Sequence, residues 1–241
     1  MKTEPFLTPY VSGHKILIQF PSSSVTDLND LQSFYDYVKD IPNCNLLDVG
    51  ANKGYYALLA TVKPDLFFYS FEPNRRIYKR FLLGNLVLNK VENRGRTFDY
   101  GLSKSRCTTE LWYDNSLKAT MIRDEAKERE IQEILKKSPK RASHVRYTSV
   151  MCDFHTLDSV ADEVFNGQEV QAVKVDVEGA EQWVVEGGAK FFEKTNALLF
   201  IEAISVNFER FGTTVAKLLD LLKGFGYKTF KRYGYNYMCL K

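Results

Sequence analysis

Residues 46–54 read LLDVGANKG: an apolar pair runs into Asp48, and the acid opens a loop with glycine at both ends. Gly50 and Gly54 carry no Cβ, so the backbone can turn sharply there and sit against a ligand. The next segment, KGYYALLATV, has helical periodicity, and a helix N-terminus favours a negative group. The spacing narrows the ligand. A dinucleotide loop is G-x-G-x-x-G, but position 52 is Asn, and no G-x-x-x-x-G-K-[ST] phosphate loop occurs in the chain. A second acid, Glu72, ends the apolar run LFFYSF, the place where acids of α/β folds hold ribose hydroxyls. Asp48 would draw a positive amino group, directly or through water. An amino-acid-like or sulfonium group at the loop and a ribose at Glu72 are the parts of S-adenosylmethionine. The plain alternative is a tight strand–helix turn beside a solvated acid. Two acids at matched strand ends argue against it.

A sulfonium makes its methyl group electrophilic. The protein must then align an acceptor oxygen and remove its proton. The candidates are Asp176 and Glu178 in VKVDVEGAE, and His155 just before TLD. Asp176 ends a buried run at the sheet edge where α/β sites lie. Glu178 precedes Gly179, which opens a helix. Either carboxylate suits the base, with Asp176 preferred; Asp176 also suits a contact to the cofactor's amino group. Glu178 and Glu181 read equally as carboxylates placed beside a helix dipole. His155 has an unperturbed pKa near 6.5, and its bland reading is a partly buried turn histidine. His14 and His144 have no supporting motif. Glu202 ends LLFIEA at the same edge as a further contact. Asp176 with Glu178 offers a divalent ion two carboxylates, too few to assign one, so no metal is expected.

The elements that must hold these residues alternate. KILIQF is a strand closed by Pro21, and SSSVTDLNDLQSFYDYVKD a helix capped by Thr26 or Asp27. NLLDV, LFFYSF and RTFDYGL are strands separated by the helices KGYYALLATV and NRRIYKRFLLGNLVLN. Between about 108 and 150 the rhythm breaks. TELWYD and HVRYTSVMC are strands, and MIRDEAKEREIQEILKKSPKR is a helix of mixed charge closed by Pro139, with pairs such as Glu133–Lys137. Lys136, Lys137, Lys140 and Arg141 offer an alternative role in acceptor recognition. TLDSVADEVF, VQAVKVDV, GAEQWVVEGGAKFF, ALLFIEA and TVAKLLDLLKGFG resume the alternation, and YKTFKRY and YNYMCLK close it as a hairpin at Gly234. The C-terminal aromatics, from Phe225 to Tyr237, read as packing, with one or two available as a sugar-stacking wall. Strands alternating with helices predict a doubly wound parallel sheet.

Composition excludes little but agrees. The 241 residues are 44% hydrophobic and 26% charged, with a net charge of +3, too small to argue for nucleic acid. Cys44, Cys107, Cys152 and Cys239 form no C-x-x-C pair and predict reduced thiols. No signal-peptide pattern and no apolar run of roughly 20 residues is present; the expectation is a soluble, cytoplasmic protein with no membrane span. Nothing in the sequence sets an oligomeric state.

LLDVGANKGYYALLA, FEPN, FHTLDSV, GLSKSRCTTEL and VKVDVEGAEQWVVEGGAKFF, in their order, resemble the FkbM-type methyltransferases, a family of class I S-adenosylmethionine-dependent enzymes. The resemblance covers about residues 44–230. It implies a Rossmann-like seven-stranded, mostly parallel sheet with a C-terminal antiparallel hairpin. It also implies methyl transfer to oxygen, commonly a hydroxyl of a sugar or polyketide. By resemblance, Asp48, Gly50, Asn52 and Gly54 meet the methionine end of the cofactor, Glu72 the ribose and Asn74 the adenine side. Asp176, Glu178 and Glu181 lie where cofactor and acceptor meet. Lys53 stands where an apolar residue is expected. The expected organisation is an N-terminal arm and helix over 1–43 packed on a methyltransferase domain over 44–241, with an inserted helical and β segment at about 108–150. The expected acceptor is a small molecule or glycan, first of all a sugar. The alternatives are a ribose methyltransferase acting on RNA and a non-catalytic cofactor-binding scaffold. No [DN]-P-P-[YFW] motif and no Pro-Cys pair supports base methylation, and the glycine spacing excludes a nicotinamide oxidoreductase.

Overall fold

The computed structural model describes residues 10–18, 26–113, 119–137 and 147–241. Pro21, Pro139, Lys140, Arg141 and His144 lie outside them, as do the side chains of His14, Thr26, Asp27 and Lys137. Seven strands build the main sheet: β1 (Asn45–Val49), β2 (Phe67–Phe71), β3 (Gly95–Phe98), β4 (Ala172–Val175), β5 (Leu198–Glu202), β6 (Thr229–Tyr233) and β7 (Asn236–Leu240). Their order is β6-β7-β5-β4-β1-β2-β3. The pairs from β5 to β3 are parallel, and β7 runs antiparallel to both β5 and β6. This is the doubly wound α/β sheet with the C-terminal hairpin that the alternation predicts.

Near-continuous apolar strands belong to a sheet covered on both faces, and both faces are covered. Leu47, Val49, Tyr69, Phe71, Leu199 and Ile201 pack against the helices Leu157–Phe165, Glu181–Gly187 and Val215–Gly224. Leu46, Phe68 and Phe200 pack on the other side against Leu31, Phe34 and Val38 of the helix Thr26–Val38, and against Leu82 and Leu86. Ile16 and Ile18 join that second cluster; among the described residues the strand predicted over KILIQF is His14–Lys15, paired with Tyr10–Val11. Among the described residues no helix is long and apolar enough to cross a membrane.

Two local expectations are corrected, and one element is added. KGYYALLATV forms only a five-residue 3₁₀ helix, Ala57–Thr61, so no long helix dipole points at the glycine loop. RTFDYGL is two strands: β3 ends at Phe98, and Gly101–Leu102 pairs instead with Phe154 and His155. Gly101 permits the switch, since a Cβ there would lie 2.4 Å from the Phe154 ring. The added element is a short helix, Ser205–Arg210, which follows β5 in a stretch given no element in the sequence reading.

The segment that breaks the rhythm makes a second sheet of four strands. Thr148–His155 runs antiparallel to Cys107–Tyr113, whose far end pairs with Ala119–Thr120. The helix Glu125–Lys137 follows, with ion pairs Arg123–Glu128 and Arg129–Glu125 on its exposed face.

Candidate active site

The cavity opens at the carboxyl ends of β1, β2, β4 and β5, where open parallel sheets bind ligands. Its wall includes Gly50, Asn52, Lys53 and Tyr56 from the loop after β1, and Glu72 and Pro73 after β2. Asp176 and Glu178 follow β4, and Glu202 ends β5. The second sheet contributes Leu102, Leu111 and Phe154.

Beneath the loop a polar row crosses three strands in register: Lys174 on β4, Asp48 on β1 and Ser70 on β2. All three are buried. The Lys174 Nζ donates to the Gly50 carbonyl at 2.8 Å and lies 3.6 Å from both Asp48 Oδ1 and Asp176 Oδ2. Burial disfavours its charge, but Asp176, Asp48, Glu202 and Glu72 together hold its pKa above the usual lysine value. Burial pushes the Asp48 carboxyl up, against the pull of Lys174. Asp48 is thus a buried counterion to Lys174 and does not line the cavity, which speaks against the first of the two contacts expected of it, directly or through water. Gly50 lines the cavity and is also crowded from behind. It sits at φ +77°, and a Cβ there would fall 1.9 Å from the Asp176 carbonyl oxygen. The room it makes is for β4's own backbone. Gly54, at φ +84°, similarly admits Leu82.

Glu72 has both oxygens fixed by backbone: Oε2 accepts from Asn52 N–H at 2.9 Å and Oε1 from Asn74 N–H at 2.8 Å. Burial pushes its pKa up to about 7, and those two N–H groups pull it down. Asn52, at φ +49°, supplies the turn. Asn74 caps the helical stretch that starts at Arg75, its Oδ1 accepting from Arg76 and Ile77 N–H at 3.1 and 3.3 Å. Its Nδ2 is buried without a hydrogen-bond partner, and the cavity wall beside it is formed by Pro73 and Ile77. These residues fit S-adenosylmethionine. A carboxylate oriented by two amides faces where a ribose diol would lie, and Pro73, Ile77, Leu102 and Phe154 offer an apolar slot for a purine.

On the far wall Asp176 is partly exposed, and Glu178 adopts φ +56° with Oε2 accepting from Asn207 Nδ2 at 3.3 Å. Glu181 is buried behind them. Its oxygens accept from Val177 N–H at 2.9 Å and from Gly179 N–H at 3.0 Å, and burial raises its pKa to about 8. It acts as a clasp on its own loop and does not line the cavity. Asp176, Glu181 and Glu202 each place a carboxylate oxygen within 4.8 Å of the others. Neighbouring Lys174 supplies positive charge at that cluster.

His155 is not brought to the cavity. It follows Phe154 on one strand, so the two side chains face opposite sides. Phe154 lines the cavity, and the His155 ring packs 4.5 Å from that of Tyr100. The C-terminal aromatics build no wall either: Tyr227 is buried in the core, and Tyr37 and Tyr233 join hydroxyls at 2.8 Å. The aromatic lining comes from Tyr55, Tyr56 and Phe154. Sequence reasoning missed Lys174, although a lone cation inside the apolar run VQAVKVDV demands a buried anion. It also missed Asp30 and Asn236 at the cavity rim, whose side chains bond at 2.9 Å across the fold.

Comparisons with known proteins agree with this fold. "Methyltransferase sdnD" of Sordaria araneosa is 30% identical over 171 residues, 64% of this chain and 65% of its own length. The chain thus aligns with slightly under two thirds of that relative. The FkbM methyltransferase from Methylobacillus flagellatus KT superposes with a TM-score of 0.50 at 14% identity, over 89% of this chain and 53% of that one. The METTL16 methyltransferase domain does so with a TM-score of 0.50 at 11% identity, over 93% of this chain and 72% of that one. At such identities the two structures speak for the fold alone. Residues 48–236 match the model of the methyltransferase FkbM domain, whose class uses S-adenosylmethionine as methyl donor, and the chain belongs to that family.

Proposed function

We propose that the chain transfers the methyl group of S-adenosylmethionine to a hydroxyl oxygen of a small-molecule or glycan acceptor, a sugar first among them. The observation that carries the reading is one cavity with two unlike walls. Glu72, fixed by two backbone amides, faces the cofactor side, and Asp176, Glu178 and Glu202 gather on the other. The cofactor supplies an electrophilic methyl group when bound. The chain's own task is to line up the acceptor oxygen and take its proton. Asp176 is the base in this reading: partly exposed, on the cavity wall, and oriented by the Lys174 ammonium 3.6 Å away. Glu178, steadied by Asn207, orients the acceptor hydroxyl. His155 has no part, because its ring is turned to Tyr100.

A labelled-donor screen over sugars, nucleotide sugars, other alcohols and RNA tests the acceptor. Labelled sugar or alcohol oxygen is the expected product; labelling confined to RNA or to nitrogen would overturn the assignment. With an acceptor in hand, Asp176→Asn should lower kcat by about 100-fold or more at unchanged donor affinity. A matching loss of donor affinity would make Asp176 a binding residue and pass the base role to Glu178.

A further inference from the structure

Beyond Glu178 lies a second cavity. Ala119 and Glu178 line both this chamber and the active-site cleft, so the two spaces abut on those residues. Glu178 holds φ +56°, a region that favours glycine, and its Oε2 accepts from Asn207 Nδ2 at 3.3 Å. Strain of this kind persists only where the surroundings hold a residue in place. The other walls lie outside the main sheet. Trp112, Asp124 and Tyr147 come from the second sheet and its connecting stretch, and Asn207 and Arg210 from the short helix after β5.

The lining mixes donors, acceptors and rings. The Arg210 Nη2 lies 3.1 Å from Asp124 Oδ2. A guanidinium has five N–H donors in a fixed fork, more than one carboxylate takes. The Asp124 N–H donates to the Tyr147 hydroxyl at 2.6 Å, and the Tyr147 ring lies 5.5 Å from that of Trp112. Among the described residues the wall carries one arginine against two acids, Asp124 and Glu178, so a phosphate would meet no surplus of positive charge. An apolar group would take water from the ion pair and return no hydrogen bond. A sugar ring suits both kinds of wall. Its hydroxyls donate and accept, and its C–H faces pack on aromatic rings.

We infer that this chamber is a second sugar subsite. The ring that receives the methyl group lies at Asp176 and Glu178, and the neighbouring ring of the same acceptor lies in the space that Trp112, Asn207 and Arg210 line. The acceptor is then a neutral glycoside of two or more rings, not a free monosaccharide. The inference rests on the sugar reading given above. It gives the second sheet a task, the choice of acceptor length. It also places the aromatic contact on Trp112 and not on the C-terminal hairpin, where the sequence suggested it.

Steady-state kinetics on the full chain at saturating donor test this with a panel of paired methyl glycosides, one ring against two, each pair sharing the ring to be methylated. The wild type should prefer the two-ring partner by about 10-fold or more in kcat/KM, carried by KM, the scale of a hydrogen bond to a charged group. Trp112→Leu and Arg210→Lys should each erase most of that preference. Equal kcat/KM for both lengths in the wild type would overturn the inference and leave the sugar reading standing. Equal losses on both lengths in the variants would overturn it too, since that pattern belongs to residues that only hold the second sheet in place. Label on no glycoside of either length would overturn the sugar reading itself, and the inference with it. Should Arg210→Lys loosen the fold, Trp112→Leu carries the same comparison.

Discussion

Gly50 illustrates how one position answers to two demands. Its φ of +77° lies in the left-handed region, and the Asp176 carbonyl occupies the space a side chain would need. Gly50→Ala should therefore destabilise the ligand-free protein by roughly 2 kcal/mol or more, through strain and displacement of β4 together. Urea unfolding measures it, and an unchanged midpoint would mean that loop and strand can part freely. The sequence reveals that a glycine is required here but not what approaches it, because the partner lies more than a hundred residues away. The same gap explains Asp48. Its type and strand-end position are legible, whereas its partner Lys174 becomes visible only when β4 lies in register beside β1. The strand-end place of Glu72 was legible, whereas the two backbone amides that fix it, from Asn52 and Asn74, were not.

Elements of one period were easier to foresee than the seams between them. All seven strands of the main sheet follow from strand-like runs set off by helical segments or, at the end, by the turn at Gly234. The division of RTFDYGL does not, because it depends on Phe154 filling the space over Gly101. The face presented by His155 was hidden for a related reason: the strand Thr148–His155 extends further than HVRYTSVMC, and its register fixes which neighbour looks inward. The second sheet is tied to the body by Arg210, at the end of the short helix after β5, whose Nη2 lies 3.1 Å from Asp124 Oδ2. Both groups are largely sheltered. Arg210→Met should cost stability by about 1 kcal/mol and speed amide hydrogen exchange across residues 119–137, with the main sheet still protected. Uniform acceleration over the whole chain would instead make the pair part of the global core.

Over the whole molecule, two buried carboxyls give the fold an unusual response to pH. Glu72 and Glu181 have pKa values raised to about 7 and about 8, mainly by burial, against roughly 4.3 in an unfolded chain. Between those limits the folded protein binds more protons than the unfolded one. The stability these two groups contribute is therefore fully present below about pH 4.3 and is lost as pH climbs through 7 and 8. The melting temperature of the ligand-free protein should drop from pH 5.5 to pH 8, with a loss of stability on the order of 5 kcal/mol, and Glu181→Gln should flatten the slope. A melting temperature that rises over this range would show both groups ionised in the fold. Strand order carries another consequence. β7 lies between β5 and β6, so β6 has no strand to join until its successor is in place. The cavity rim likewise spans Asp30 to Asn236. On the ribosome, then, the loop after β1 emerges long before residue 236 and waits for it to complete its enclosure. A nascent chain halted before residue 236 would expose β5's outer edge, a ready surface for chaperones, and would hold its ligand only in a half-walled cleft.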